Sequence, residues 1–265
     1  MKRLLILVPV LSCFLLSAFP QSSSNEVQLG VSAYKNNHYD EATKHFEKAA
    51  ELDPGNLTAH LYAGTALVSQ YIPGVDTEEN LAFAERAVTH YQRVLDANAS
   101  REQKLNSAKG IAYLYLNMKK WEEAKTYYQM ASSFDAKDAE AYYSIGVIDW
   151  TYCYSFRMEG RVKLEMTPDQ HLSSRKPDQK KLCDELQARN GSTIEDGISN
   201  LEKAIELRPD YDDAMAYMNL MYRERADIEC DNPMAREQDL KTADEWVDKA
   251  MAAKKAKAER KPIAK

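Results

Sequence analysis

What most constrains this chain is a pattern of small and aromatic residues that recurs along it, seen whole for the first time between Leu29 and Pro54. That stretch, LGVSAYKNNHYDEATKHFEKAAELDP, divides into two short helices. Val27, Leu29, Val31 and Tyr34 give the first an apolar face, and Asn36, Asn37 and His38 interrupt it with residues that favour turns. Ala42, Phe46, Ala49 and Leu52 then fall at the spacing of a single helical face. Pro54 and Gly55 stop the second helix. Gly30 and Ala42 sit where two helix backbones must approach closely, and Phe46 fills the space their small side chains leave.

The same arrangement returns in phase. Gly64 follows Gly30 by 34 residues, and Gly146 follows Ala112 by 34. Trp121, Ala124, Tyr128 and Ala131 repeat the face of the second helix, as do Gly197, Leu201, Ala204 and Pro209. Ala87, Tyr91 and Val94 form a fainter copy, and Ala243, Val247 and Ala250 the faintest. The residues resemble the tetratricopeptide repeat (TPR), which wants Leu-Gly on its first helix, Ala-x3-Phe on its second and a closing Pro over 34 residues. The slot that holds tryptophan in that family holds Glu26, which suits a first repeat with no neighbour before it.

The resemblance implies an all-α fold, an α-solenoid of about five helix-turn-helix repeats in which each repeat contacts mainly its neighbours. The second-helix anchors Ala42, Ala87, Ala124, Gly197 and Ala243 are separated by 45, 37, 73 and 46 residues. Extra residues therefore lie between the two helices of a pair, most of them in the fourth. The expected units are 25–56, 57–101, 102–138, 139–210 with a helical insertion at about 152–192, and a divergent fifth at 211–252. Inside the fourth unit, the pattern through Tyr143, Val147, Trp150, Tyr154 and Met158 predicts one helix that overshoots its repeat. A charged helix is expected over 178–189. Asn190, Gly191 and Ser192 then read as a stop and a new N-cap, with Glu195 completing a capping box. After Met251 the apolar face is lost, and the basic tail 253–265 reads as a fraying helix end or a disordered segment.

The chain begins with Lys2 and Arg3 followed by an apolar run from Leu4 to Phe19, too short for the roughly 20 residues a membrane span needs. With the polar stretch after Pro20, residues 1–24 read as a signal peptide, so the body is expected to be exported to the periplasm or secreted. The net charge is −6 although Lys249–Lys265 holds seven basic residues and one glutamate, so the body is strongly acidic. That argues against nucleic acid as a partner. Contact with a membrane would run through the N-terminal segment or the basic tail.

Catalytic chemistry is not legible. The chain has no G-x-S-x-G, no phosphate-binding glycine loop and no H-E-x-x-H. Histidines 38, 45, 60, 90 and 171 are scattered, with no two at the i,i+3 or i,i+4 spacing of helical metal ligands, so no metal and no cofactor is expected. Beyond the N-terminal segment stand Cys153, Cys183 and Cys230. Cys153 and Cys183 both fall in the long fourth unit, where an oxidising compartment could join them by a disulfide; the alternative is that Cys153 is a buried apolar residue and Cys183 a thiol on a helix.

The family resemblance implies binding: first helices line a concave groove that cradles a protein or peptide partner. By repeat phase that groove holds Tyr34, Leu61, Lys109, Tyr113, Tyr143, Trp150 and Arg223, together with Val27, Val31, Thr65, Val147 and Leu220. Of the slots where some TPR proteins clamp a terminal carboxylate, only Lys109 carries a suitable residue. Tyr113, Tyr143 and Trp150 place the expected binding face in the third and fourth units, beside the long insertion; the alternative is that Trp150 packs the lobe against the fourth pair.

Overall fold

The computed structural model describes residues 22–167 and 170–260. The expected signal peptide therefore lies outside the described residues but for its last three positions. Among the described residues there are ten helices and no strand: α1 (Ser23–Lys35), α2 (Tyr39–Leu52), α3 (Leu57–Val68), α4 (Glu78–Asp96), α5 (Arg101–Asn117), α6 (Trp121–Phe134), α7 (Ala139–Lys163), α8 (Pro177–Leu207), α9 (Asp212–Ile228) and α10 (Pro233–Arg260). They stack as five consecutive antiparallel pairs, each packed on the next.

Small residues set the closeness of each pair. A Cβ on Gly30 would lie 2.6 Å from the Phe46 ring, one on Gly64 2.7 Å from Tyr91, and one on Gly146 2.5 Å from Leu201. Ala42, Ala124 and Leu201 are fully enclosed, and Phe46 and Tyr128 nearly so. Gly197 performs the same service between repeats, where Met221 of α9 rests against it. Pro209 follows the end of α8 and lies exposed.

The joints repeat as well. Asn37, Lys119 and Glu165 each adopt a left-handed backbone two residues beyond the end of α1, α5 and α7. The next amide in each case returns to a carbonyl five residues back: His38 to Ala33 at 3.0 Å, Lys120 to Tyr115 at 2.9 Å and Met166 to Arg161 at 2.9 Å. This closure satisfies carbonyls that the last helical turn leaves bare. Between pairs, Asp53 and Asp135 cap α2 and α6 and accept a backbone N–H from Gly55 and Lys137. Ser100 and Gln103 form a reciprocal capping box on α5.

Three expectations are corrected here. The first is the stop at Asn190-Gly191-Ser192, because α8 runs unbroken from Pro177 to Leu207. Leu186, Asn190, Ile194, Gly197 and Leu201 keep one buried face in helical phase, and the buried Asn190 side chain donates to the Cys153 carbonyl at 3.2 Å. The second is the disordered alternative for the tail, because α10 stays helical to Arg260. Lys257 pairs with Asp212, and Arg260 lies 3.5 Å from Asp210.

The third is the disulfide. It joins Cys183 to Cys230, with Cα atoms 6.4 Å apart, and Cys153 is a buried free thiol. Helix register explains the difference. Cys153 lies level with Asn190, and Cys183 is seven residues, about 10 Å, further along α8. There it meets the turn between α9 and α10 and sits against the Ile228 carbonyl.

Candidate functional site: an apolar pocket in the first three repeats

The first helices α1, α3 and α5 together wall a pocket of about 400 Å³. Its floor is apolar: Val31 from α1, Leu61 from α3 and the edge of Phe46 reaching through from α2. Tyr34 and Tyr62 stand on two sides, and Thr65, Lys35 and Asn106 supply polar groups. Each wall follows from repeat packing. Gly30 admits Phe46, whose ring meets Tyr62 edge-on with centroids 5.4 Å apart. Tyr34 is steadied by Ser69 at 3.0 Å across the α1–α3 step, and by the Tyr39 ring at 5.1 Å. Tyr91 stands behind the pocket with its hydroxyl 3.3 Å from Thr65, and burial pushes its phenol up to about 12. The pocket thus combines a rigid aromatic frame with a few polar groups able to orient a ligand.

The structure divides the residues expected in the groove. Tyr34 and Leu61 line the pocket. Lys109 is occupied by Asp138 at 2.9 Å and Glu140 at 2.6 Å. Burial acts to lower its ammonium, but those two hydrogen bonds outweigh burial and raise it. Arg223 is engaged by Asp244 and Asn219, both at 2.7 Å. Tyr113 is 38 % exposed. Tyr143 and Trp150, both half-buried, are engaged by neighbouring rings. Tyr143 packs on Tyr211 at 4.9 Å and Tyr217 at 5.7 Å, and burial raises its phenol. Trp150 meets Tyr217 edge-on at 5.4 Å and stacks on Tyr154 at 5.0 Å. Both join α7 to α9 and help fill the core of the long lobe.

Lys35, Tyr62 and Asn106 were not singled out from the sequence. Tyr62 follows Leu61 directly, and a rule that takes one residue per helical turn skips it. Residues 27–56 match the model of the tetratricopeptide repeat. That stretch is a tetratricopeptide repeat, and the chain as a whole has the fold of a TPR solenoid. Solved structures similar to it include the MamA protein, at 14 % identity and a TM-score of 0.58 over 92 % of this chain and 97 % of that one. A second is MamA from residue 41 to its end, from Desulfovibrio magneticus RS-1, at 17 % identity and a TM-score of 0.56, covering 88 % and 96 %. A third is YrrB, described as a TPR protein with an unusual peptide-binding site, at 16 % identity and a TM-score of 0.54, covering 89 % and 92 %. At these identities the likeness speaks for the fold. No curated protein matches the sequence.

Proposed function

We propose that this TPR protein is an exported scaffold, without catalysis of its own, that holds an extended segment of a protein partner in the groove of α1, α3 and α5. The observation that carries the reading is the pocket itself. It is an apolar recess, framed by Tyr34 and Tyr62, on the side where repeats present their first helices. A bulky apolar side chain fits a recess of that chemistry, and aromatic walls contribute disproportionately to binding energy. YrrB, similar in fold, carries a peptide-binding site, which agrees with this use of the architecture.

Two features support export. The N-terminal segment has the composition of a signal peptide. The Cys183–Cys230 disulfide belongs to an oxidising compartment. Among the described residues no helix is long and apolar enough to cross a membrane. The alternative is an envelope-associated structural or assembly component held by its N-terminal segment or basic C-terminal tail; the tail lends it little support, since Lys257 and Arg260 are turned to Asp212 and Asp210.

Selection from a displayed random-peptide library tests the groove. Selected peptides should share a bulky apolar residue and should lose about tenfold or more in affinity with Tyr62→Ala, about 1.4 kcal/mol. The melting temperature should barely move, because Tyr62 is 37 % exposed. Peptides that bind Tyr62→Ala and Tyr34→Ala as well as the parent would place the binding face elsewhere.

A further inference from the structure

On the helices that carry Phe46, Leu61 and Tyr62 to the pocket and on the helix after them, two histidines 30 residues apart in sequence meet head to head. His60 of α3 and His90 of α4 place their Nδ1 atoms 3.0 Å apart, with ring centroids at 5.2 Å. On its far side, His90 turns Nε2 to Glu47 Oε1 of α2 at 3.4 Å. Glu47 is held in turn by Arg86 of α4 at 2.6 Å. Both members on the pocket side adjoin its walls: Glu47 follows Phe46, and His60 precedes Leu61 and Tyr62. The rings aim at each other rather than at a common point. Among the described residues no group of three His, Cys, Asp or Glu side chains could hold a metal ion. The cluster is therefore built around a proton.

We propose that His60 and His90 form a single-proton latch joining α2, α3 and α4, which holds the groove together at neutral pH and releases it on mild acidification. The proposal rests on the groove reading above for its consequence, but not for its chemistry.

The argument is an inventory of hydrogens. A nitrogen facing a carboxylate must carry its proton, so His90 Nε2 donates to Glu47. One hydrogen can then occupy the Nδ1–Nδ1 contact, supplied either by His60 or by an additional proton on His90. Charging both rings places N–H against N–H at 3.0 Å, and the contact turns from attractive to repulsive. The groups facing the pair agree with this. Burial first, then His90 and Arg93 of α4, hold His60 below its ordinary value of 6.5, against a contrary pull from the Pro54 carbonyl. Glu47 is held down by its hydrogen bond to His90 and by Arg86, against the effect of burial.

A histidine with a lowered folded-state value contributes stability that is full above about pH 6.5. That stability is lost as pH falls through the lowered value. The Glu47 contribution follows below it, as pH falls under the carboxylate range.

The test uses the full chain and two readouts. Hydrogen exchange followed by mass spectrometry at pH 7.5 and 5.5, corrected for the intrinsic rate, should show protection falling in residues 39–96 and holding in 139–228. In parallel, affinity for a library-selected peptide should drop about fivefold or more over the same interval. His60→Gln keeps a neutral side chain at the position and should reduce both changes to less than about twofold. His90→Gln is the second variant should the first fold poorly. Loss of protection in 39–96 that survives in both variants would overturn the latch. Loss of protection without any change in affinity would overturn its control of the groove. Should no peptide bind at all, the groove reading fails, and the exchange readout alone decides the latch.

Discussion

The first three repeats and the lobe of α7, α8 and α9 are built from one plan and solve different problems. In the first three, helices of 12 to 19 residues stack by setting glycine against an aromatic ring, and an apolar pocket stays open between first helices. In the lobe, α7 reaches 25 residues and α8 31, and Tyr143 and Trp150 pack against Tyr211 and Tyr217. Buried charge ties that lobe together. Arg157 meets Glu224 through two hydrogen bonds of 2.8 Å, and Asp227 reaches Arg157 at 3.2 Å and Arg161 at 3.0 Å. In the longer repeat the aromatic residues of the first helix are engaged by those of the next repeat. Aromatic residues in a repeat array mark a binding face only where the neighbouring repeat does not reach them.

Four experiments would break or sharpen this contrast. The largest effect is expected from Glu224→Ala, which leaves the buried Arg157 guanidinium without its main partner and should cost about 3–5 kcal/mol in chemical denaturation. A cost under about 1 kcal/mol would mean that the network is hydrated and the lobe no tighter than the repeats before it. Next, Cys230→Ser removes the crosslink between α8 and the α9–α10 turn and should cost about 2–4 kcal/mol. Peptide mapping of the oxidised protein should find Cys183 joined to Cys230 and Cys153 free. Recovery of a Cys153–Cys183 peptide would reverse the correction made above.

Gly146→Leu follows, at about 1–3 kcal/mol, since even a Cβ at that site would press into Leu201. An unchanged melting temperature would remove close helix approach as the basis of the fourth repeat. The smallest effect concerns acid. Burial pushes the Asp149 carboxyl up to about 6 despite its 2.7 Å ion pair with Lys125, above an ordinary 3.8. A raised carboxyl binds its proton more readily in the folded chain, so this site gains stability as pH falls from 7 through 6 toward 4. Burial raises Glu224 in the same sense. Mild acid should therefore loosen α2–α4 while leaving the lobe intact, and Asp149→Asn should remove the part of that gain owed to Asp149.

The helix pairs were legible because contact imposes their composition: a glycine or alanine at each crossing is what two backbones at short range require. The overshoot of α7 was legible for a similar reason, since its apolar phase runs on past Trp150 without a breaker. The continuity of α8 was hidden, because Asn190, Gly191 and Ser192 carry the local chemistry of a stop. Burial of Asn190 and its bond to the Cys153 carbonyl override that preference, which is a tertiary fact. The disulfide escaped for want of register, and the histidine pair because the 30 residues between His60 and His90 conceal that successive helices bring them side by side. Of the residues expected in a groove, Tyr34 and Leu61 share a pocket because repeat phase orients a first helix. The contacts of Tyr143 and Trp150 with Tyr211 and Tyr217 were not legible, because phase says nothing of what the next repeat covers.

The shared closure after α1, α5 and α7 has a consequence for how such a chain acquires length. One joint, with its left-handed residue and its five-residue return bond, ends helices of 13, 17 and 25 residues alike. The joint is indifferent to the arm it terminates. Seven residues make two turns within about 20°, so a segment of that size added to each arm of a hairpin restores the inward face. Such a hairpin telescopes: it grows at its tip while its root stays docked, and the stack beneath needs no redesign. A shortened form, with seven residues removed from the distal part of α7 and seven from the facing part of α8, would carry the same joint closer to the solenoid.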